Sequence, residues 1–492
     1  MIVLGFALRL LQLDQQSLWF DEIVIISIAK LPLLEGLDSL LQQGIQLTPL
    51  DHWVIKLWLT VGDTDWLVRF PALFFGVLAI PLTYVLGRCM LNHRVGLFAA
   101  ALVTINPFYI WYSQEARGYS LLAVAATGAM ISFHSLLNGR NGWNTTRYII
   151  FNMLGFGTHY FMLLLPTVQF LFIILQFKVY YPYFRKWVFI HVVSGTILLS
   201  WFWFVVTRGQ FTVGTGWIPN PDLLDPLLTL WNFMLGYREE ITPLVIVSLA
   251  VLALVLLLGI IYARRFKPLN QLLLIWLFVP LILVWLFSQG QRSFYVDRYF
   301  LVITSALFLL LAIGVTELAS QPARLTLTVA LFLVTLTGLS QIYLNRTYFS
   351  KDDWRGAANL LAQQAQPGDG LVTCTDGYRL ALDYYDLGKL FRTQKQAGER
   401  YYLYPANFDF NVALEKYDRV WVVAYNPRKP QHHLGFSYSP ELDPARLPAE
   451  MQTWLARNPP ETAAVAGITA FRYDWNVQPD WNELVRWNCN TD

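Results

Sequence analysis

Apolar runs of about twenty residues recur along the first 344 positions of this chain, long enough to span ~30 Å of hydrocarbon as helix. They constrain the fold more than any other feature. The apolar residues are continuous rather than spaced at an amphipathic period, which argues against solvent-facing helices. Composition agrees: 55% of the 492 residues are hydrophobic and only 14% charged, where a soluble domain carries about a quarter charged. Mean hydropathy is +0.41. Nineteen Trp and twenty-five Tyr suit a chain with two membrane–water interfaces to line. A net charge of +3 is too small to point to nucleic acid. Three cysteines, Cys89, Cys374 and Cys489, are too few for a disulfide framework or a thiolate metal site, though one Cys374–Cys489 bridge stays open.

The runs predict spans near 1–13, 69–87, 95–112, 119–137, 147–157, 161–177, 187–206, 242–262, 271–288, 297–316 and 325–343. The expectation is an α-helical polytopic membrane protein of about eleven spans. The first is short, covering about 20 Å as helix. Either the start lies upstream or this helix is tucked against its neighbours; as the first apolar segment it would serve as its own insertion signal. The stretch 147–177 reads as two short helices broken at Gly157-Thr158-His159-Tyr160, or as one long tilted helix.

Loop charge decides for the break. With it, one set of loops holds Arg88, Arg94, Arg140, Arg147, Lys178, Arg185, Lys186, Arg264, Arg265, Lys267 and Arg324 against a single acid, Glu317. The opposite loops collect Asp14, Asp21, Glu22, Glu35, Asp38, Asp51, Asp63, Asp65, Glu115, Glu239 and Glu240. The positive-inside rule puts this acidic set outside the cell. Two outer segments are long, 14–68 and 207–241, and the Trp53–Trp58 stretch is amphipathic enough to lie along the interface. Hydropathy collapses after Leu344. Strand-like runs at Gly370–Cys374 and Val420–Tyr425 then alternate with helical ones, and Asp352 or Asp353 is placed to cap a helix beginning near Trp354. Residues 344–492 therefore read as an extracytoplasmic α/β domain, and residues 1–343 as the membrane domain.

Transporters and channels carry ionisable groups at mid-membrane depth, and the span interiors here are nearly free of them. The charges sit at outer helix ends instead, so the expected site lies at the outer surface. Ser17-Leu18-Trp19-Phe20-Asp21-Glu22 places two carboxylates at the lipid boundary, able to act as general base on a hydroxyl or to hold a divalent cation. The alternative reading is a helix start with acid in its first turn. Asn106–Tyr119 is a short outer connection carrying Glu115 and Arg117 beside aromatics, and a solvated turn would read the same way. Arg69, Arg208, Arg238, Arg292 and Arg298 are basic groups on the outer side. A guanidinium fork suits a lipid-linked phosphate, while snorkelling to headgroups accounts for some of the five. His159-Tyr160, at the outer break, is a substrate contact or a structural pair. The His432-His433 pair lacks metal or triad spacing.

Together these segments resemble the glycosyltransferase C superfamily, and within it the polyprenyl-phosphate-sugar-dependent family 39, which includes protein O-mannosyltransferases and is related to the lipid A aminoarabinose transferases. The resemblance rests on Arg9, Ser17–Glu22, Thr48-Pro49-Leu50 running into Lys56-Leu57-Trp58, Trp66–Pro71, Ser113–Tyr119, His159-Tyr160, Arg298-Tyr299 and Lys351–Arg355, in family order over about 350 residues. One departure is Gln46-Leu47-Thr48-Pro49-Leu50-Asp51-His52, where Thr48 stands in place of the first of two prolines. The resemblance implies a sugar delivered on a polyprenyl monophosphate and attacked by an acceptor hydroxyl, usually with inversion. Asp21 matches the catalytic acid and takes the general-base role with Glu22 in support. Glu115 matches the second acidic position, which orients the acceptor or binds a cation, so a divalent cation on Asp21 and Glu115 stays open. Arg69, Arg117 and Arg298 are the candidates for the leaving phosphate, with Tyr119, His159 and Tyr160 as substrate contacts. The expected partners are the lipid-linked sugar, a hydroxyl-bearing acceptor and the bilayer of a plasma membrane. Two rival readings make different predictions. A non-catalytic partner in glycan translocation or assembly predicts that Asp21 and Glu115 are dispensable, and an exporter predicts charged mid-membrane groups.

Overall fold

An apolar segment in a bilayer must satisfy every backbone polar group within itself, and residues 1–344 accordingly fold as a succession of helices. The computed structural model describes residues 1–42, 48–139, 142–208, 218–237, 242–290, 292–344, 351–366, 369–373 and 376–385, and beyond these a set of strands ending at residue 474. Arg140, Arg238, Cys374, Cys489, His432-His433 and the side chain of Arg208 lie outside the described residues.

Among the described residues, seven helices are long and apolar enough to cross a membrane: Asp65–Met90, Tyr119–Leu137, Phe177–Thr207, Pro243–Phe266, Leu269–Phe287, Asp297–Thr316 and Gln321–Leu344. The run expected as a single span over 95–112 is two helices, His93–Ile105 and Pro107–Ser113, bent by 58° at their junction. Pro107 has no N–H to continue the ladder, and Asn106 restarts it by accepting the Tyr109 amide on its side chain. The carbonyls freed by the bend find a donor in Arg9 of the Ile2–Leu10 helix. This fully buried guanidinium donates to the carbonyls of Thr104 and Val103 and to the Ser113 hydroxyl. The stretch 147–177 does break as the loop charges require. Helix Trp143–Thr158 stops at His159, whose extended backbone opens a 3-10 turn, Tyr160–Leu163, leading into Leu164–Leu175.

Burial sorts these helices. Tyr119–Leu137 and Thr304–Thr316 are buried on nearly every side, whereas Phe177–Arg208 and Pro243–Ala263 leave large apolar side chains such as Phe189, Trp203, Val247 and Leu257 exposed, as lipid-facing helices do. Between Pro243–Ala263 and Thr304–Thr316 the backbones touch. A Cβ on Gly259 would lie 2.1 Å from the Leu310 carbonyl oxygen, and one on Gly314 would lie 2.1 Å from that of Val255. Small residues at such a crossing are what let membrane helices gain packing in a solvent as apolar as themselves.

The chain divides into two units. The first comprises Met1–Leu13 and Ile28–Phe349 with the short stretch Gln431–Gly435, and the second comprises Asp14–Ser27, Ser350–Pro430 and Phe436–Asp492. The second unit holds a five-stranded sheet. Gly370–Thr373 pairs in parallel with Tyr402–Leu403 and with Arg419–Tyr425, and the sheet continues antiparallel through Ile468–Asp474 to Glu461–Val465. Asp353 caps helix Trp354–Gln364 by accepting the Gly356 amide at 2.8 Å. Segment 14–27 groups with this sheet-bearing unit although it precedes it by more than 300 residues in sequence.

Candidate active site

In the first unit, two helix starts and one helix break converge. Tyr119 begins the buried helix Tyr119–Leu137, and Asp297-Arg298 opens the 3-10 turn Asp297–Ile303 that leads into Thr304–Thr316. His159 lies at the break between Trp143–Thr158 and Tyr160–Leu163. Arg298 is 6% exposed and donates from Nε to the Tyr119 hydroxyl at 3.0 Å. Its guanidinium lies 5.9 Å from the Tyr119 ring centre and 5.5 Å from that of Tyr299. Arg117 stands 5.9 Å from the same Tyr119 ring. Two cations thus lie within about 6 Å of one aromatic ring centre, a separation at which the ring quadrupole attracts them. The aromatic wall continues through His159, stacked on Tyr160 at 4.4 Å and 4.5 Å from Tyr299. Desolvation, reinforced by the positive charges of Arg117 and Arg298, pushes the His159 imidazole down to about 3. The ring is therefore neutral near pH 7, and its Nδ1 accepts the Phe161 amide.

Glu115, Ala116, Arg117 and Gly118 form the tight connection into Tyr119, with the Arg117 amide donating to the Glu115 carbonyl at 2.7 Å. Glu115 is buried. Gly118 is required by close approach, because a Cβ there would lie 2.5 Å from Thr158 and 2.9 Å from Asp51. Gln114 donates to the carbonyls of Arg9 and Leu11, and Arg69 donates from Nη1 to that of Leu13 at 2.8 Å. Arg69 is buried, so one of its donors holds the chain leaving the first helix. Thr48, standing where a proline was expected, uses its hydroxyl to bond the Thr158 carbonyl at 2.9 Å. Beside this, Asp51, Val54, Phe75, Ala116, Arg117 and Leu121 line a small cleft that is partly open to solvent.

Asp21 and Glu22 belong to the second unit. Helix Phe20–Lys30 starts with both acids in its first turn. Glu22 is fully buried and accepts the Trp19 amide at 3.2 Å, the backward half of a capping box. The same oxygen takes a 3.0 Å ion pair from Lys351. The Asp21 side chain is partly exposed.

Residues 46–205 match the sequence profile of the dolichyl-phosphate-mannose-protein mannosyltransferases. Among solved structures, apo ArnT from Cupriavidus metallidurans superposes with a TM-score of 0.56 at 12% identity, over 96% of each chain. The same protein bound to undecaprenyl phosphate superposes at 0.56 and 13% identity, over 97% of this chain and 98% of that one. The chain has the glycosyltransferase C fold. An oligosaccharyltransferase from Archaeoglobus fulgidus gives a TM-score of 0.48 at 13% identity, covering 86% of this chain and 67% of the other. No curated protein sequence matches the chain.

Two carboxylates outside the expected site residues are the buried Asp51 and the half-buried Asp297. Asp51 was counted only as an outer-loop acid, yet it is 4% exposed and lines the cleft with Arg117. Asp297 accepts from the Thr229 hydroxyl and from the Asn232 amide, each at 2.6 Å, tying the turn that carries Arg298 to helix Asp225–Leu235. The signal for Asp297 was its position: an acid opening a long apolar run needs a partner. Arg292 is exposed. Among the described residues, no group of three His, Cys, Asp or Glu side chains is placed to hold a metal ion.

Proposed function

We propose that this chain is a membrane glycosyltransferase that moves a sugar from a polyprenyl-phosphate donor to a hydroxyl acceptor at the outer face of the plasma membrane. The observation that carries this reading is the pair of guanidiniums, Arg117 and Arg298, each 5.9 Å from the Tyr119 ring centre at the ends of apolar helices. A lipid-linked donor keeps its tail in the bilayer, so its phosphate and anomeric carbon are confined near the interface, where helix ends lie. Charged donors in a partly buried site stabilise the negative charge that grows on the leaving oxygen.

The step is an inverting displacement. The acceptor oxygen bonds to the anomeric carbon as its proton passes to the Asp21 carboxylate. The bond from that carbon to the phosphate oxygen breaks, and its electron pair leaves with polyprenyl monophosphate. Arg117 and Arg298 receive the phosphate, with Arg69 supporting the first of the outer connections, and the Tyr119, His159, Tyr160 and Tyr299 wall packs against the sugar. Glu115 orients the acceptor. In this reading residues 1–343 form the membrane domain and 344–492 an extracytoplasmic domain.

The test is transfer of label from a radiolabelled mixture of polyprenyl-phosphate sugars in membranes containing the protein. Wild type should label an acceptor, and Asp21→Asn at equal expression should lose the activity by at least about a hundredfold, the range of a positioned general base. Equal transfer by both removes Asp21 from the mechanism.

A further inference from the structure

We propose that the sheet-bearing unit is part of the catalytic apparatus, with Lys351 as a positioning residue that holds the Asp21 segment in register through Glu22. The inference rests on the reading of Asp21 as the general base and adds what fixes that base in place.

Residues 14–19 have no regular secondary structure until the helix starts at Phe20, so their backbone groups need partners from elsewhere. The partners come from residues 351–385, far away in sequence but within the same unit. Arg355 donates from Nη2 to the carbonyls of Asp14, at 2.8 Å, and Gln15, at 3.2 Å. The Gln16 side chain accepts the Lys351 amide at 2.9 Å, and the Ser17 hydroxyl accepts the Arg355 amide at 3.1 Å. The Leu18 amide donates to the Tyr385 hydroxyl at 2.8 Å. The Trp19 amide is taken by Glu22, and Glu22 is held by Lys351 across a pair whose side chains are 5% and 0% exposed. From residue 14 to the first turn of the helix, each step of the chain is clasped.

Glu22 is thereby committed. Its Oε2 already serves one amide and one ammonium, and it is sealed from solvent. It acts through Asp21, its neighbour in the same helical turn, and touches no substrate in this account. A buried ion pair is costly to break from one side, since the remaining charge is left without compensation. Lys351 therefore sets where the first turn, and Asp21 with it, comes to rest.

The experiment uses the full chain purified in detergent, with two readouts: hydrogen exchange of peptides covering residues 14–27, and steady-state transfer from polyprenyl-phosphate sugar. Lys351→Met should raise exchange in 14–27. A shift of the order of 1 Å at the base should lower kcat on the order of a hundredfold, while the KM for donor holds within about twofold because ground-state binding lies elsewhere. Lys351→Arg, which keeps the charge, should recover most of the loss. Should Lys351→Met fail to fold, Tyr385→Phe serves instead, losing only the hydroxyl that takes the Leu18 amide and about fivefold in kcat.

Unchanged exchange in both variants overturns the clasp whatever the transfer assay gives. Raised exchange with wild-type kcat makes the contact structural only and overturns the positioning role. A parallel rise in donor KM also overturns it. Equal transfer by wild type and Asp21→Asn would sink the base assignment, and with it the role of Lys351 in positioning that base, while raised exchange in Lys351→Met would still establish the clasp.

Discussion

At the scale of single residues, Arg298 separates charge from shape. It is buried, bonded through Nε to Tyr119, and set over two tyrosine rings. Arg298→Lys keeps a cation but loses the planar fork and its hold on Tyr119, so kcat/KM should fall about tenfold. Arg298→Ala should cost about 10 to 100-fold, the range for charge-assisted hydrogen bonds of about 1.5–3 kcal/mol. Equal rates in all three would show that the phosphate is received elsewhere. His159 makes a different prediction. Its folded value near 3 lies below the ~6.5 of the unfolded chain. Below that unfolded value the unfolded state binds a proton that the folded state refuses. The stability contribution is therefore complete above about pH 6.5 and declines as the pH falls toward 3. A His159→Phe variant should accordingly show a shallower loss of Tm between about pH 6.5 and 4 than wild type, measured in detergent. An identical acid limb in the two proteins would mean that His159 titrates normally.

At the scale of elements, the turn Asp297–Ile303 depends on helix Asp225–Leu235. Asp297→Ala leaves Thr229 and Asn232 without their shared acceptor, a cost of about 1–3 kcal/mol, and frees the turn that carries Arg298. A lowered Tm together with a raised donor KM should result, and a lowered Tm with unchanged KM would limit Asp297 to stability. These elements also show what local sequence could and could not reveal. The apolar runs, the break at His159 and the Asp353 cap were legible because each has a signature within a few residues: hydropathy, a change in loop charge, an Asp before an amphipathic helix. The bend at Asn106-Pro107 was read through as one span, since the apolar run continues across it and its stabiliser, Arg9, lies almost a hundred residues upstream. Glu22 and Lys351 stand further apart still. Each belongs to its own local motif, but no periodicity links an acid at a helix start to a lysine 329 residues further along the chain. Asp51 was missed for a related reason: an acid in an outer loop looks solvated until the fold closes over it.

At the scale of the whole molecule, the reading depends on orientation, because a donor presented at the outer face requires the acid-bearing connections and the sheet-bearing unit to lie there. Basic residues gather at Arg88, Arg94, Arg147, Lys178, Arg185, Lys186, Arg264, Arg265 and Lys267, and acids on the opposite connections. On the proposed topology the basic set faces the cytoplasm, as the bias that membrane insertion imposes expects. The native cysteines report on both sides at once. Cys89 is exposed and follows Arg88 at one end of helix Asp65–Met90, whereas Cys374 and Cys489 fall in the C-terminal segment. In a Cys374→Ser/Cys489→Ser background, a membrane-impermeant maleimide should label Cys89 in inverted vesicles and not in intact cells. With Cys89→Ser and prior reduction, the C-terminal cysteines should label in intact cells. The reverse pattern would put Asp21, Glu115 and the arginine pair on the cytoplasmic side, where a sugar donor need not be lipid-linked. The argument for a polyprenyl-phosphate donor would then fail even with the fold unchanged.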